Sequence, residues 1–293
     1  MTHIKTYNDI YLDARRKLKA AGAENFSLEA RLIVSAAAGK SREEFTRDLQ
    51  LYALGDTEKK IGEMLARRLA GEPLAYVLGE WEFMGLPMAV NDGVLIPRMD
   101  TEVLATLAIE LLRSRETAGA RVLDLCCGTG CIGISIAKNI ADLRVVLADN
   151  SMKALRTARQ NVLRNSVTKN TTVIEADATK APPMLLGRFD LIVCNPPYIP
   201  TAEIPELDVS VSRYEPREAL DGGADGLDFY RAIIPRWLPI LREHGAVLFE
   251  VGEGQADAVE AMLREHGCSR VASHQDTIGV RRVVAGIVEN AAS

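Results

Sequence analysis

The stretch Val122-Leu-Asp-Leu-Cys-Cys-Gly-Thr-Gly-Cys-Ile-Gly133 decides the fold. Its apolar beginning predicts a buried strand, its glycines predict a tight turn, and its end predicts the start of a helix. Gly128 and Gly130 let the backbone turn sharply and lie against a ligand, whereas Gly133 permits close packing of the helix on the strand. The order of strand, glycine turn and helix indicates an α/β fold with a nucleoside-binding edge.

Strand-like runs alternate with amphipathic helices from about residue 100 onward. The runs are Arg121–Leu125, Arg144–Ala148, Thr172–Glu175, Phe189–Cys194, Ala246–Val251 and Arg281–Val288. Such alternation predicts a parallel sheet that is covered by helices on both faces. We therefore expect an α/β domain over residues 100–293.

Residues 1–75 show helical periodicity and predict a small N-terminal helical domain. Asp56 can cap a helix that has its apolar residues on one face and stops at Gly71. Ser41 and Glu44 have the spacing of a capping box, which predicts a second helix start.

The apolar period changes to two between about Tyr76 and Val90, on both sides of Gly85. This pattern predicts a β-hairpin. We expect residues 76–99 to form a hairpin linker between the helical domain and the α/β domain.

The composition of the chain is that of an ordinary globular protein. Its 293 residues are 47% hydrophobic, and 40 Asp and Glu residues outnumber 35 Lys and Arg residues. A net charge of −5 without a basic run disfavours direct binding of nucleic acid. The apolar stretches are shorter than the ~20 residues of a membrane span, and the polar start does not resemble a signal peptide. We expect a cytoplasmic protein with no membrane partner.

The cysteines support a reducing compartment. There are five, an odd number, and Cys126, Cys127 and Cys131 lie within one turn, which is not the pattern of a disulfide framework. Zinc ligands normally come as separated pairs, so we expect no metal site.

An acidic residue follows the glycine turn at the spacing that a ribose requires. Asp149 comes nineteen residues after Gly130, at the end of the next predicted strand, where a carboxylate can accept both hydrogen bonds of a ribose diol. Together these features predict an adenosine-type cofactor. The glycine pattern alone fits NAD and S-adenosylmethionine equally, and it also fits a turn that binds no ligand.

Two further acids refine this prediction. Asp124 precedes Gly128 by four residues, where a carboxylate attracts the ammonium group of a methionine moiety and repels a pyrophosphate. Asp124 therefore favours S-adenosylmethionine, although it can instead cap neighbouring backbone groups. Asp177, at the end of the third strand, can accept a hydrogen bond from the adenine amino group, and a solvated turn explains it equally well.

The strongest signal is Asn195-Pro196-Pro197-Tyr198, which an apolar strand delivers to the carboxyl edge of the sheet. The two prolines restrict the backbone and bring no N–H group. The Asn195 side-chain oxygen and the Pro196 carbonyl can accept both N–H bonds of a planar –NH2 group while the Tyr198 ring lies on its face. Such a pocket selects an amide or an exocyclic amino group of a purine.

This pocket suits methyl transfer to nitrogen. An amide nitrogen is a poor nucleophile, and two acceptors that pull on its protons orient it and raise its electron density. A sulfonium carries an activated methyl group, so the reaction requires positioning more than a strong base. We expect these four residues to form the catalytic turn, with Asn195 also bordering the cofactor.

Several ordered blocks resemble the HemK family of protein-(glutamine-N5) methyltransferases along nearly the whole chain. They are Gly71–Tyr76, Val94–Arg98, Asp100–Glu102, Asn195–Tyr198, Glu215–Gly223 with Asp225 and Gly226, Glu250–Gly252 with Gln255, and Asp276, Gly279 and Arg282.

The resemblance implies a helical N-terminal domain that a β-hairpin joins to a seven-stranded Rossmann-like class I methyltransferase domain. It implies S-adenosylmethionine as cofactor and, as substrate, the glutamine of the Gly-Gly-Gln loop of peptide chain release factors. It also implies that Asn195 to Tyr198 hold the substrate amide, that Asp149 binds the ribose and that Ala178, after Asp177, flanks the adenine. The implied cofactor turn is Cys126, Cys127, Gly128, Thr129 and Gly130.

The chain departs from the family pattern at Met99, Cys127 and Ala178, where a proline, a threonine and a larger apolar residue are usual. None of the three belongs to the reacting groups. Two alternatives to glutamine methylation remain at this stage: methylation of adenine N6 in DNA, which needs a similar pocket for a flipped base, and NAD-dependent oxidoreduction.

Overall fold

The computed structural model describes residues 5–115 and 117–289 of the chain. Contacts divide these residues into two compact units. The smaller unit runs to Gly79 and includes Val209–Tyr214, and the larger one comprises Glu80–Asp208 and the described residues from Glu215 onward. Within the described ranges, no helix combines the length and the apolar character that a membrane crossing requires.

The smaller unit is helical. Its main helices are α1 (Tyr7–Ala20), α2 (Phe26–Ala38), α3 (Arg42–Arg47), α4 (Gly55–Leu69) and α5 (Leu74–Leu78). They pack around a core that includes Ile33 and Phe45, and Arg68 of α4 donates to both oxygens of the buried Glu29 of α2 at 2.7 and 3.1 Å.

The predicted capping box is confirmed, since Glu44 N donates to Ser41 Oγ at 3.1 Å and Ser41 N donates to Glu44 Oε2 at 2.8 Å. The predicted cap at Asp56 is wrong. The helix already begins at Gly55 with Leu54 before it, so Asp56 lies in the first turn, where its charge favours the positive end of the helix dipole.

A two-stranded hairpin opens the larger unit, with β1 (Glu80–Phe83) antiparallel to β2 (Leu86–Ala89). The strand pattern predicted from Tyr76 onward is wrong for its first residues. They belong to α5, because Pro73 fits the position before a first helical turn and Gly79, with φ of 77°, ends the helix. The division at residues 75 and 99 into folding domains stays a prediction.

The hairpin is fixed to the rest of its unit by buried amides of one helix, α8 (Met152–Arg164). Asn161 Oδ1 accepts from Ala89 N at 2.6 Å, and Asn161 Nδ2 donates to the carbonyls of Ala89 and Thr129 at 3.1 and 3.0 Å. The same amide therefore bonds the hairpin and the glycine turn, which contains Thr129.

A seven-stranded sheet within the described residues confirms the predicted Rossmann-like fold. Its strands are β3 (Arg121–Leu125), β4 (Arg144–Asp149), β5 (Thr171–Glu175), β6 (Phe189–Cys194), β7 (Leu241–Glu250), β8 (Ala272–Gln275) and β9 (Arg281–Ile287). Their order is β5-β4-β3-β6-β7-β9-β8, with β9 antiparallel to both of its neighbours and the other pairs parallel.

Helices complete the larger unit. They are α6 (Thr101–Arg113), α7 (Cys131–Asn139), α8, α10 (Asp228–Trp237) and α11 (Ala256–Glu265), while the short α9 (Val209–Ser212) belongs to the smaller unit. Two apolar cores cover opposite faces of the sheet: Leu104, Ile134 and Leu147 belong to one, and Tyr230, Trp237 and Phe249 to the other.

Candidate functional site

A cleft of about 260 Å³ lies at the carboxyl ends of the central strands. It brings together residues that follow β3, β4, β5 and β6, and all of the residues that line it belong to the larger unit. The edge beyond the carboxyl ends of parallel strands is where open α/β sheets bind ligands. The geometry of the strands therefore places the glycine turn and the Asn-Pro-Pro-Tyr turn in one site.

The glycine turn lines the cleft and has a left-handed backbone. The φ angles of Cys126, Gly128 and Gly130 are 60°, 53° and 78°. A Cβ on Gly128 would meet no atom within 4 Å, whereas one on Gly133 would lie 2.3 Å from Leu147 Cδ2. Gly128 thus leaves space on the cleft side, and Gly133 allows α7 to pack closely on β4.

Cys127 and Thr129 also line the cleft, and both are almost fully buried. Cys127 N donates to Ala148 O at 3.0 Å, which ties the turn to the end of β4. The five cysteines are all free thiols. Among the described residues, no group of three or more His, Cys, Asp or Glu side chains could hold a metal ion.

Asp149 ends β4 and lines the cleft. Its Oδ2 accepts from Gly128 N and its Oδ1 from Ser151 N, both at 2.9 Å. Burial is the main cause that raises the pKa of this carboxyl, and the backbone donors oppose it. Each carboxylate oxygen has a further lone pair, so the side chain can still accept hydrogen bonds from a diol in the cleft.

Asp124 lies behind the cleft wall instead of lining it. It is fully buried on β3, its Oδ2 accepts from Gly133 N at 2.8 Å, and its Oδ1 has no hydrogen-bond partner among the described residues. Burial raises the pKa of Asp124 to about 7. The structure thus gives Asp124 the backbone contact that sequence left open, together with one unsatisfied oxygen.

The turn after β5 places Ala178 in the cleft but not Asp177. Asp177 Oδ1 accepts from the N–H and the hydroxyl of Thr179 at 2.9 and 2.6 Å, and the Thr179 hydroxyl is the main cause that lowers the pKa of this carboxyl. The Ala178 side chain is buried, and its carbonyl accepts from Trp237 Nε1 at 2.9 Å. Asp177 therefore organises its own turn.

The turn after β6 contributes Asn195 and Pro197 to the cleft, whereas Pro196 and Tyr198 are not among the residues that line it. Asn195 Nδ2 donates to Thr101 Oγ1 at 3.2 Å, and no described group donates to its Oδ1 or to the Pro196 carbonyl. Asn195 Oδ1 is thus an available acceptor in the cleft, and the carbonyl of the adjoining Pro196 is a second available acceptor beside it. The Thr101 contact, which fixes the orientation of the Asn195 amide, could not be found from spacing because Thr101 begins a helix 94 residues earlier.

Three glycines from other segments pack on Tyr198, two against its backbone and one against its ring. A Cβ on Gly222, Gly226 or Gly252 would lie 2.7 Å from Tyr198 Cα, 2.2 Å from Tyr198 O and 3.2 Å from Tyr198 Cδ2, respectively. Gln255 Nε2 donates to Tyr198 O at 2.8 Å. In the sequence these residues belong to separate blocks. The structure shows that all of them contact Tyr198.

Residues before α6 form the opposite wall, including Val94, Leu95 and Arg98. The buried Glu215 holds this segment because it accepts from Ile96 N at 3.0 Å and pairs with the Arg98 guanidinium. Arg98 and Glu215 thus form an ion pair within the larger unit. Phe229 adds an aromatic ring to the cleft wall, which no sequence pattern indicated.

Comparison with known proteins agrees with this geometry. Residues 9–79 match the PrmC N-terminal domain and residues 101–207 match the methyltransferase small domain. A methyltransferase from Pyrococcus furiosus has a TM-score of 0.50 at 16% identity, over 78% of this chain and 99% of that chain, and shows the shared fold alone.

Closer relatives carry one common name. The release factor glutamine methyltransferase of Geobacter sulfurreducens is 40% identical over 93% of this chain and 93% of its own length. That of Bradyrhizobium diazoefficiens is 38% identical over 84% of this chain and 82% of its own length. Such similarity does not favour an oxidoreductase or a DNA methyltransferase. With relatives this close along nearly its whole length, the chain belongs to the release factor glutamine methyltransferase family.

Proposed function

We propose that this protein transfers a methyl group from S-adenosylmethionine to the side-chain amide nitrogen of the glutamine in the Gly-Gly-Gln loop of peptide chain release factors. The observation that carries the proposal is the available acceptor Asn195 Oδ1 in the cleft that the glycine turn lines, with the carbonyl of the adjoining Pro196 as a second acceptor to which no described group donates. Membership of the release factor glutamine methyltransferase family supports the choice of substrate.

The residues around the glycine turn fit S-adenosylmethionine. Gly128 faces open space, Asp149 retains lone pairs for a ribose diol, and Asp124 has one buried oxygen without a partner. From behind the cleft wall, that oxygen would attract the ammonium group of a methionine moiety in the cleft, and this positive charge would lower the raised pKa of Asp124. A pyrophosphate at this position would meet repulsion instead.

The surfaces that remain for the adenine ring are apolar. Ala178 and Phe229 line the cleft beyond Asp149 and offer surfaces for the adenine ring. Cys126, Cys127 and Thr129 complete the turn, with Gly130 as the N-cap of α7. Asp177 already accepts two hydrogen bonds from Thr179, so we assign it only a minor role in cofactor binding.

The chain's own contribution to the reaction is to hold the amide. Asn195 Oδ1 and the Pro196 carbonyl accept the two N–H bonds of the glutamine –NH2 group, and Pro197 and Tyr198 keep this turn stiff and supply an apolar face. When bound, S-adenosylmethionine supplies a methyl group that its sulfonium already activates for displacement. The acceptors orient the nitrogen lone pair, and the proton released from the alkylated nitrogen can leave to water.

The cellular setting follows from the same proposal. Release factors act in translation, so we propose that the protein works in the cytoplasm on a protein partner, without a direct nucleic acid substrate. Five free thiols are compatible with a reducing compartment. The smaller unit, which matches the PrmC N-terminal domain, is the proposed docking region for the release factor.

The test is transfer of a labelled methyl group to a purified release factor, with mass spectrometry to locate the modified atom. We expect one methyl group on the amide nitrogen of the loop glutamine. A release factor with that glutamine replaced by glutamate should accept none, because the acceptor pair would then face a carboxylate. Equal turnover of the glutamate variant, or transfer to duplex DNA instead, would contradict the proposal.

A further inference from the structure

Glu250, the last residue of β7, is a buried carboxylate behind the cleft. Its exposed fraction is 1%, and its Oε2 has no hydrogen-bond partner among the described residues. The parallel register pairs Phe249 of β7 with Cys194 of β6, so Glu250 lies beside the start of the Asn-Pro-Pro-Tyr turn. Burial of a charged group at such a depth costs free energy, and the proposed reaction assigns no role to Glu250.

Two hydroxyls connect Glu250 to the substrate side of the cleft. The Tyr198 hydroxyl donates to Glu250 Oε1 at 3.3 Å. The Thr101 hydroxyl lies against the same carboxylate and lowers its pKa, and Thr101 Oγ1 accepts from Asn195 Nδ2 at 3.2 Å. Glu250 therefore lies behind both side chains that the proposed function places on the glutamine amide.

Groups from several elements face this carboxylate. Asp100 and Thr101 come from the start of α6, Cys131 from α7 and Tyr198 from the turn after β6. Arg282 comes from β9, and Tyr230 of α10 donates to the Glu250 carbonyl at 2.7 Å. Arg282 is shared with Asp276 and Asp100, at 3.1 and 3.5 Å, so it does not neutralise Glu250 by direct contact. Burial is the main cause that raises the pKa of Glu250 to about 7.

We propose that Glu250 is a positioning residue that acts through the Thr101 and Tyr198 hydroxyls to hold the Asn195 amide with Oδ1 toward the substrate. This inference rests on the proposed function of the site. In the ionised form Glu250 accepts from the Tyr198 hydroxyl and attracts the proton of the Thr101 hydroxyl, so the lone pairs of Thr101 Oγ1 remain free for Asn195 Nδ2. The amide then has one favoured orientation, with its oxygen directed to the glutamine.

Protonation gives Glu250 one proton, which can reverse the hydrogen bond to one of the two hydroxyls. When the carboxyl O–H donates to Thr101 Oγ1, the Thr101 hydroxyl no longer points at the carboxyl and can point at Asn195 instead. Two donors then face each other, which favours the opposite orientation of the Asn195 amide and presents Nδ2 to the substrate. Methyl transfer should therefore decline as the pH falls through about 7, with the cofactor still bound.

The test compares Glu250→Gln with a matched control, Glu243→Gln. Glu243 lies on the same strand, is exposed and has only a 3.8 Å approach to His244 as its recorded ion pair. We expect Glu250→Gln to lower kcat by about 10²-fold and to remove the acid limb near pH 7. S-adenosylhomocysteine should raise the melting temperature of this variant as it does that of the wild type. The control should keep the wild-type rate and pH profile.

A second pair of variants decides the question if Glu250→Gln does not fold. Thr101→Val removes the hydroxyl and should lower kcat, whereas Thr101→Ser keeps it and should restore most of the rate. Wild-type rates and pH profiles in both Glu250→Gln and Thr101→Val would overturn the inference. So would joint loss of the rate and of the stabilisation by S-adenosylhomocysteine, which would indicate a structural role. Failure of wild-type protein to methylate a release factor would contradict the proposed function itself.

Discussion

The glycine turn and the Asn-Pro-Pro-Tyr turn lie at the same edge of the sheet but are built in opposite ways. The glycine turn contains the glycines that its own backbone conformation requires, since Gly128 and Gly130 have positive φ angles and Gly128 faces open space. The Asn-Pro-Pro-Tyr turn has no glycine of its own. Other segments of the chain supply the glycines instead, because Gly222, Gly226 and Gly252 all pack closely on Tyr198.

This difference matches what each turn has to hold. A turn of glycines lets a ligand come close to the backbone, which suits a cofactor that lies along it. A turn of prolines removes N–H groups and leaves carbonyl and amide oxygens, which suits a substrate that brings its own N–H donors. The site thus combines a turn that a cofactor can approach closely with a rigid turn for the amide.

The largest effect should come from Asn195→Ala. The change removes one of two acceptors while leaving the glycine turn intact, so kcat should fall by about 10²–10³-fold or more. Stabilisation by S-adenosylhomocysteine, measured as a shift in melting temperature, should persist. Loss of both together would mean that Asn195 acts mainly on the cofactor and that the two turns are not separate in function.

Glycine substitutions should separate the two turns at an intermediate level. Gly226→Ala forces a Cβ to 2.2 Å from Tyr198 O at a φ of 74°, so we expect a loss of about 1–3 kcal/mol in unfolding free energy and a lower kcat. Gly128→Ala meets no protein atom within 4 Å, so it should cost only the strain of alanine at a φ of 53°, and its main effect should be weaker cofactor binding. Steady-state kinetics and denaturant unfolding measure both variants. The same pattern of losses in the two would contradict the comparison.

The smallest effect should be the pH dependence of Asp124→Asn. A folded-state pKa of about 7, above the usual value for aspartate, means that the neutral form is favoured in the fold, so this stability is present at low pH and is lost as the pH rises through 7. The amide side chain at this position in the variant does not ionise. Between pH 5 and pH 8 the melting temperature of the wild type should therefore fall by a few degrees relative to that of the variant.

The cofactor offers a check on the same variant. An ammonium group that pairs with Asp124 should stabilise the wild type more than the variant, so S-adenosylhomocysteine should raise the wild-type melting temperature by more. An equal gain in both proteins would assign Asp124 to the backbone of Gly133 alone.

Periodicity predicted the α/β sheet well because the central strands are buried on both faces and contain continuous apolar runs, as in residues 191–194 of β6. It missed β8, whose residues Ala-Ser-His-Gln are small or polar and remain partly exposed at the sheet edge. It also placed the start of β7 at Ala246 instead of Leu241, since exposed polar residues fill its first half. Strands that lack a buried face leave little trace in sequence.

The site divides in the same way. Asp149, the glycines and Asn195 could be predicted because each follows an apolar strand and the sheet edge gathers strand ends. The contacts of Thr101, Glu250 and the glycines around Tyr198 could not, because they join segments that are far apart in sequence, although these residues lie in blocks that resemble the family. The placement of Asp124 behind the wall also needed the fold, since spacing alone does not tell which way a side chain at a strand end points.

The bonds of Asn161 have a consequence for motion at the site. A single amide group bonds both Ala89 of the hairpin and Thr129 of the glycine turn, so local opening of either one leaves the Asn161 amide with fewer partners and weakens its hold on the other. The hairpin and the cofactor turn therefore behave as one cooperative piece. A bound ligand that reduces local opening of the glycine turn should also slow amide hydrogen exchange at Ala89, which does not line the cleft.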